Sequence, residues 1–132
     1  MRARIFHTIL IFAAGLSVGA AGFQTSAARP DREARECFWS RNVTNFASVD
    51  QNRVNIRTGV REVFQLEFFG GCADISFANR IAFDTRGSSS VCDGLDVTLI
   101  VPSPIGPQRC PVRSIRRLSA EELASLPSRQ RP

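Results

Sequence analysis

Four cysteines, four of the six aspartates and a cluster of arginines carry whatever chemistry this chain can offer. Cys37, Cys72, Cys92 and Cys110 are separated by 35, 20 and 18 residues. An even set in an exported chain reads as a disulfide framework, and four cysteines permit three pairings. The preferred pairing is Cys37–Cys110 with Cys72–Cys92, which would tie both ends of the domain and close one inner loop. The rival is a four-thiolate zinc site. Such sites offer ligands in close pairs, and no two cysteines here lie within four residues of each other. No C-x-x-C is present, so a thioredoxin-like redox role is set aside as well.

His7 is the only histidine, and there is no Lys and no Tyr. Beyond residue 28, Ser-His-Asp and Cys-His catalysis, histidine metal sites, and Schiff-base or Ser-Lys mechanisms therefore lack their residues. Carboxylate chemistry remains, with Asp74, Asp84, Asp93 and Asp96 as the candidate acids. A pair such as Asp93 and Asp96 could act as acid and base, or hold a calcium ion. The plainer reading makes Asp93-Gly94 a turn and places Asp96 at a strand start facing solvent. No catalytic residue, metal or cofactor is expected. Arg113, Arg116 and Arg117 form a basic cluster suited to an anionic surface or an acidic envelope protein. The plainer reading is a solvated strand edge. Phe38, Trp39, Phe64, Phe68, Phe69, Phe77 and Phe83 read as core, with Phe69 the one expected exception.

All 17 basic residues are Arg, and the formal charge is +5 over 132 residues. Arg2 and Arg4 precede an apolar stretch from Ile5 to Phe23, and small residues follow through Ala28. This is the pattern of a secretory signal over residues 1–28, with cleavage after Ala20 or near Ala28. The alternative is an uncleaved N-terminal membrane anchor. Removing residues 1–28 leaves 15 basic against 12 acidic side chains, a charge of +3. That is not a nucleic-acid signature.

The elements that must position these residues are short strands. A charged leader, 29–36, runs into a single domain over 37–126. Strands are expected over Val43–Val49, Arg53–Thr58, Val63–Phe69, Ile81–Asp84, Val97–Val101 and Cys110–Leu118. Val54 and Ile56 alternate with Arg53, Asn55 and Arg57, and Phe64, Leu66 and Phe68 alternate with Gln65 and Glu67. These two apolar faces meet only if Ile56 lies opposite Phe64 and Val54 opposite Leu66. That register requires an odd-length loop, which Gly59 suits. Ser119 and Glu122 form a capping box, with Leu118 and Leu123 as its hydrophobic staple. A short helix from Ala120 to Leu126 follows, stopped at Pro127. The tail 127–132 is expected to be disordered. The sum is a mainly β fold: a small antiparallel barrel or sandwich of five to six short strands, disulfide-stapled, with a short C-terminal helix.

Cys37, Cys72, Ile81-Ala82-Phe83, Cys92-Asp93-Gly94 with Asp96, Cys110 and Ser119-Ala120-Glu121-Glu122 follow one another in a characteristic order. The layout resembles a family of small exported bacterial four-cysteine domains of unknown function, over residues 37–123. Leu95, between Gly94 and Asp96, departs from that pattern. The resemblance implies fold and export and no reaction. The expected function is an exported, periplasmic or secreted, non-catalytic binding or interaction module. The alternatives are an Arg-mediated binder of an anionic envelope surface or polymer and a small carboxylate-based enzyme.

Overall fold

The computed structural model describes residues 36–132. The expected signal peptide, and all of the leader but Glu36, lie outside the described residues. Among the described residues there are eight strands: β1 (Phe38–Trp39), β2 (Val43–Ser48), β3 (Arg53–Thr58), β4 (Glu62–Phe68), β5 (Ala82–Thr85), β6 (Ser90–Val91), β7 (Val97–Val101) and β8 (Gln108–Arg117). Six of them form one antiparallel sheet in the order β2-β3-β4-β8-β7-β5, curled into a half-barrel, and β1 pairs with β6 as a separate ribbon. β1 and β6 have two residues each, too few to show an alternation, so the sequence gives no sign of them.

The β3–β4 register is the expected one. Ile56 faces Phe64, Val54 faces Leu66, and three residues, Gly59 to Arg61, make the turn. Gly59 adopts φ +58°, which a side chain would resist. The inward residues of β3, β4, β7 and β8 form the core, with Phe38 from β1 and Ile75 from a single turn at Ala73–Ser76. The Phe38 ring lies 5.3 Å from that of Phe64 and 6.1 Å from that of Phe83.

β8 makes the sheet bend. Its first half pairs with β7 and its second half with β4. Between them Arg113 is an extra residue, because Ser114 faces Glu67 while Val112 faces Phe68. Such a bulge increases local twist and turns a flat sheet into a curved one.

The disulfides are Cys37–Cys92 and Cys72–Cys110, not the preferred Cys37–Cys110 and Cys72–Cys92. Strand pairing decides this. Phe38 faces Val91, which brings Cys37 beside Cys92 with Cα atoms 4.1 Å apart. The Phe69 N–H donates to Pro111 O, which brings the chain after β4 alongside Cys110.

The tail also departs from expectation. Helix α1 (Ala120–Ser125) carries the predicted capping box, but the chain beyond it is ordered against the sheet. A single turn at Ser128–Gln130 follows, and Asn55 Nδ2 donates to Gln130 O at 2.8 Å. Arg57 donates to Pro132 O, and Arg131 donates to the Ala124 and Leu126 carbonyls at the end of α1. Asn55, which holds this segment, and Pro132 within it are both buried. A polar composition suggests disorder, but the partners here lie some 75 residues away on β3.

Candidate functional site

The arginine cluster does not converge. Arg116 faces Gln65 and Arg117 faces Phe64, so the two side chains leave opposite faces of β8. Each guanidinium also has a carboxylate. Arg113 lies 3.5 Å from Glu67, Arg116 2.7 Å from Glu122, and Arg117 2.8 Å from Glu62. These exposed pairs add little stability, but they cancel the local positive charge. Arg116 also ends a polar row across the sheet. It donates to Gln65 Oε1 at 3.3 Å, Gln65 Nε2 donates to Asn55 Oδ1 at 3.1 Å, and Asn55 passes to Gln130.

Among the described residues, two carboxyl groups are held below their ordinary range. At Glu122 the main cause is the Ser119 N–H of the capping box, followed by Arg116. At Asp50 partial burial pushes upward, but hydrogen bonds from Arg53 and the Asn52 N–H outweigh it.

The aspartates stand apart in structural roles. Asp93 Oδ1 accepts the Leu95 N–H at 3.1 Å and the Asp96 N–H donates to Asp93 O, so this pair builds a turn. Asp84 is paired with Arg109. Asp74 uses its N–H to reach Gln108 Oε1 at 3.2 Å, joining the Ala73–Ser76 turn to β8. Among the described residues no three metal-ligating side chains cluster.

Gly94 explains the Cys92-Asp93-Gly94 motif without any acid. It is buried where the chain crosses the β8 bulge, with no room for a side chain.

A small cleft lies at the Gly59 end of the half-barrel. It has a volume of about 120 Å³ and is lined by Phe38, Trp39, Asn42, Thr58 and Glu62, beside the Cys37–Cys92 bridge. Thr58 is 4% exposed, and its hydroxyl has no hydrogen-bond partner among the described residues. The Arg41 guanidinium stacks 4.7 Å above Trp39. Thr58 continues the inward series Val54, Ile56, Thr58, so the one signal available in sequence was a hydroxyl at an inward position.

Two aromatics read as core are on the surface. Trp39 is half exposed, and Phe77 is 89% exposed on the loop after the Ala73–Ser76 turn, where no strand alternation constrains it. Phe69 is exposed as expected, with Arg113 over its ring at 5.9 Å.

No curated protein and no solved structure matches the chain. A family model does match, over residues 2–132, and its domains have no assigned function. The resemblance carried by the four cysteines thus leads to a family of that standing: the chain belongs to the Family of unknown function (DUF6491).

Proposed function

We propose that the protein is an exported binding or interaction module that does no catalysis. The observation that carries this reading is the pairing of all four cysteines into two disulfides. Such bridges persist in oxidising compartments and are reduced in the cytosol. The apolar N-terminal pattern of the sequence points the same way, and no helix among the described residues is long and apolar enough to cross a membrane. Against catalysis stand the absence of His, Lys and Tyr beyond residue 28 and the commitment of Asp84 and Asp93 to an ion pair and a turn. The matched charges of Arg113, Arg116 and Arg117 favour a partner protein over a broad anionic surface or polymer.

The test is the intact mass of the protein recovered from its native compartment and alkylated with and without prior reduction. A mass lacking the residues up to Ala20 or Ala28, with label only after reduction, is expected. A full-length mass, or label without reduction, would overturn the reading.

A further inference from the structure

We infer that the outer edge of β5 is a strand-addition site for an extended peptide of a partner protein, apolar at its centre and acidic at its ends. The inference rests on the binding-module reading and says where the binding happens.

The six-stranded sheet has two edges, β2 and β5, and among the described residues only β2 is stopped. On β2 the Val49 N–H donates to Arg53 O, which fixes the phase of the ladder. In an antiparallel pair, alternate residues turn their main-chain groups toward the neighbour, so those of Phe46 and Ser48 point outward. The Phe46 N–H is taken by Asn45 Oδ1 at 2.9 Å. Ser48 Oγ meets Ser76 Oγ at 3.2 Å, closing that edge with the Ala73–Ser76 turn.

On β5 the Arg86 N–H donates to Asp96 O at 2.9 Å, extending a ladder in which Thr85 faces Val97. Residues 82, 84 and 86 therefore turn toward β7. The main-chain groups of Phe83 and Thr85 point outward, with no backbone partner there among the described residues. Four strand residues offer about 13 Å of edge, enough to hold a short extended segment.

Two features give that segment its chemistry. An apolar hollow of about 180 Å³ adjoins the edge, lined by Arg80, Ile81, Ala82, Ile100, Pro102 and Pro107. It has the size and lining for one aliphatic side chain of an added strand. Arg80 and Arg86 bracket the edge, and neither side chain has an ion-pair partner among the described residues, whereas Asp84 between them is matched by Arg109. The bracket selects acidic ends. It also disfavours a second copy of this chain: a symmetric antiparallel pair centred on Phe83 would set Arg80 of each copy against Arg86 of the other. Strand addition takes its affinity from main-chain hydrogen bonds and its specificity from side-chain pockets, and both are present here.

The test uses the disulfide-intact protein and three blocked octapeptides. The first alternates Val, Ile and Thr at its centre with Glu and Asp at its ends. The second carries Lys at the ends, and the third a central Pro. NMR follows amide shifts and hydrogen exchange. Saturable binding of the first peptide is expected, with new protection at Phe83 and Thr85 and shifts of the Ile81 and Ile100 methyls. Arg80→Glu with Arg86→Glu should weaken it about tenfold or more. Thr85→Pro, which removes an outward N–H and leaves the bonds to β7, should abolish it. Three results would overturn the site: no binding up to about 1 mM, protection centred away from β5, or self-association with protection at Phe83. The two readings fail separately, since an unprotected Phe83 sinks the edge alone and cysteines labelled without reduction sink the exported module.

Discussion

Gly94 lies so close to the Arg113–Ser114 peptide that a β-carbon added to it would come within 2.5 Å of the Arg113 carbonyl carbon and 2.6 Å of the Ser114 nitrogen. This contact seats the Asp93 turn on the bulge that bends β8, two residues from the Cys37–Cys92 bridge. The obstacle is main chain, which cannot rotate aside as a side chain would. Gly94→Ala should therefore cost about 3 kcal/mol, read as a lowered urea midpoint with the slope unchanged. Gly70 has nothing within 4 Å of its added carbon and no positive φ. Gly70→Ala is the control and should be neutral or slightly stabilising. A loss below about 1 kcal/mol for Gly94→Ala would mean that the crossing is looser than this.

The two disulfides should differ in access. Cys72 and Cys110 are 0% and 3% exposed within the core, while Cys37 is on the surface. Thiol–disulfide exchange requires the attacking thiolate to reach a sulfur, so limited reductant should open Cys37–Cys92 first. Peptide mapping after brief reduction and alkylation should find label at Cys37 and Cys92 before Cys72 and Cys110. Replacing either pair by serine should cost about 2–5 kcal/mol. Recovery of a Cys37–Cys110 peptide would contradict the strand pairing itself.

What the sequence shows and what it hides divide along the range of the interactions. The β3–β4 register was readable because two alternating apolar faces and an odd loop admit one solution. The capping box at Ser119 and Glu122 was readable because it lies within one turn. The cysteine pairing depends on β1 and β6, whose two residues carry no pattern. The docked tail depends on Asn55, which looks like an ordinary outward residue until the segment that covers it is known. The arginine cluster looked like a site because sequence proximity hides that Arg116 and Arg117 leave opposite faces of one strand.

Asn55 is fully buried on the sheet face away from the main core, with its donor on Gln130 O and its acceptor under Gln65 Nε2. Asn55→Ala removes both contacts and leaves the Gln130 carbonyl without its donor. A loss of about 2 kcal/mol is expected, with faster amide exchange from Ser128 to Arg131. Unchanged exchange there would show that the tail is held by Arg57 and Arg131 alone.

Thr58 makes the opposite prediction. Its buried hydroxyl has no partner among the described residues, so Thr58→Val replaces a polar atom by an apolar one of the same shape. Stability should stay within about 0.5 kcal/mol or rise. A loss above about 1 kcal/mol would show that the hydroxyl is hydrogen-bonded in solution, through the cleft beside Trp39.

Glu122 ties α1 to the sheet and sets how that contact responds to acid. The Ser119 N–H and the Arg116 guanidinium both favour its ionised form, holding the carboxyl below its ordinary value of 4.5. A carboxyl depressed on folding contributes stability that is complete above its unfolded value and is lost as pH falls through the folded one. Asp50, held down by Arg53, acts in the same direction below its ordinary 3.8. The start of α1 should therefore loosen on acidification below about pH 4.5 and be insensitive to pH above it. The Ser119 amide shift, followed by NMR, should titrate with the Glu122 carboxyl. Glu122→Gln keeps an acceptor for the Ser119 N–H but has no charge to lose, so its helix should persist with a flat profile over the same range. If the variant showed the same acid transition as the parent, the coupling would lie elsewhere, with Asp50 and its Arg53 partner the next groups to test.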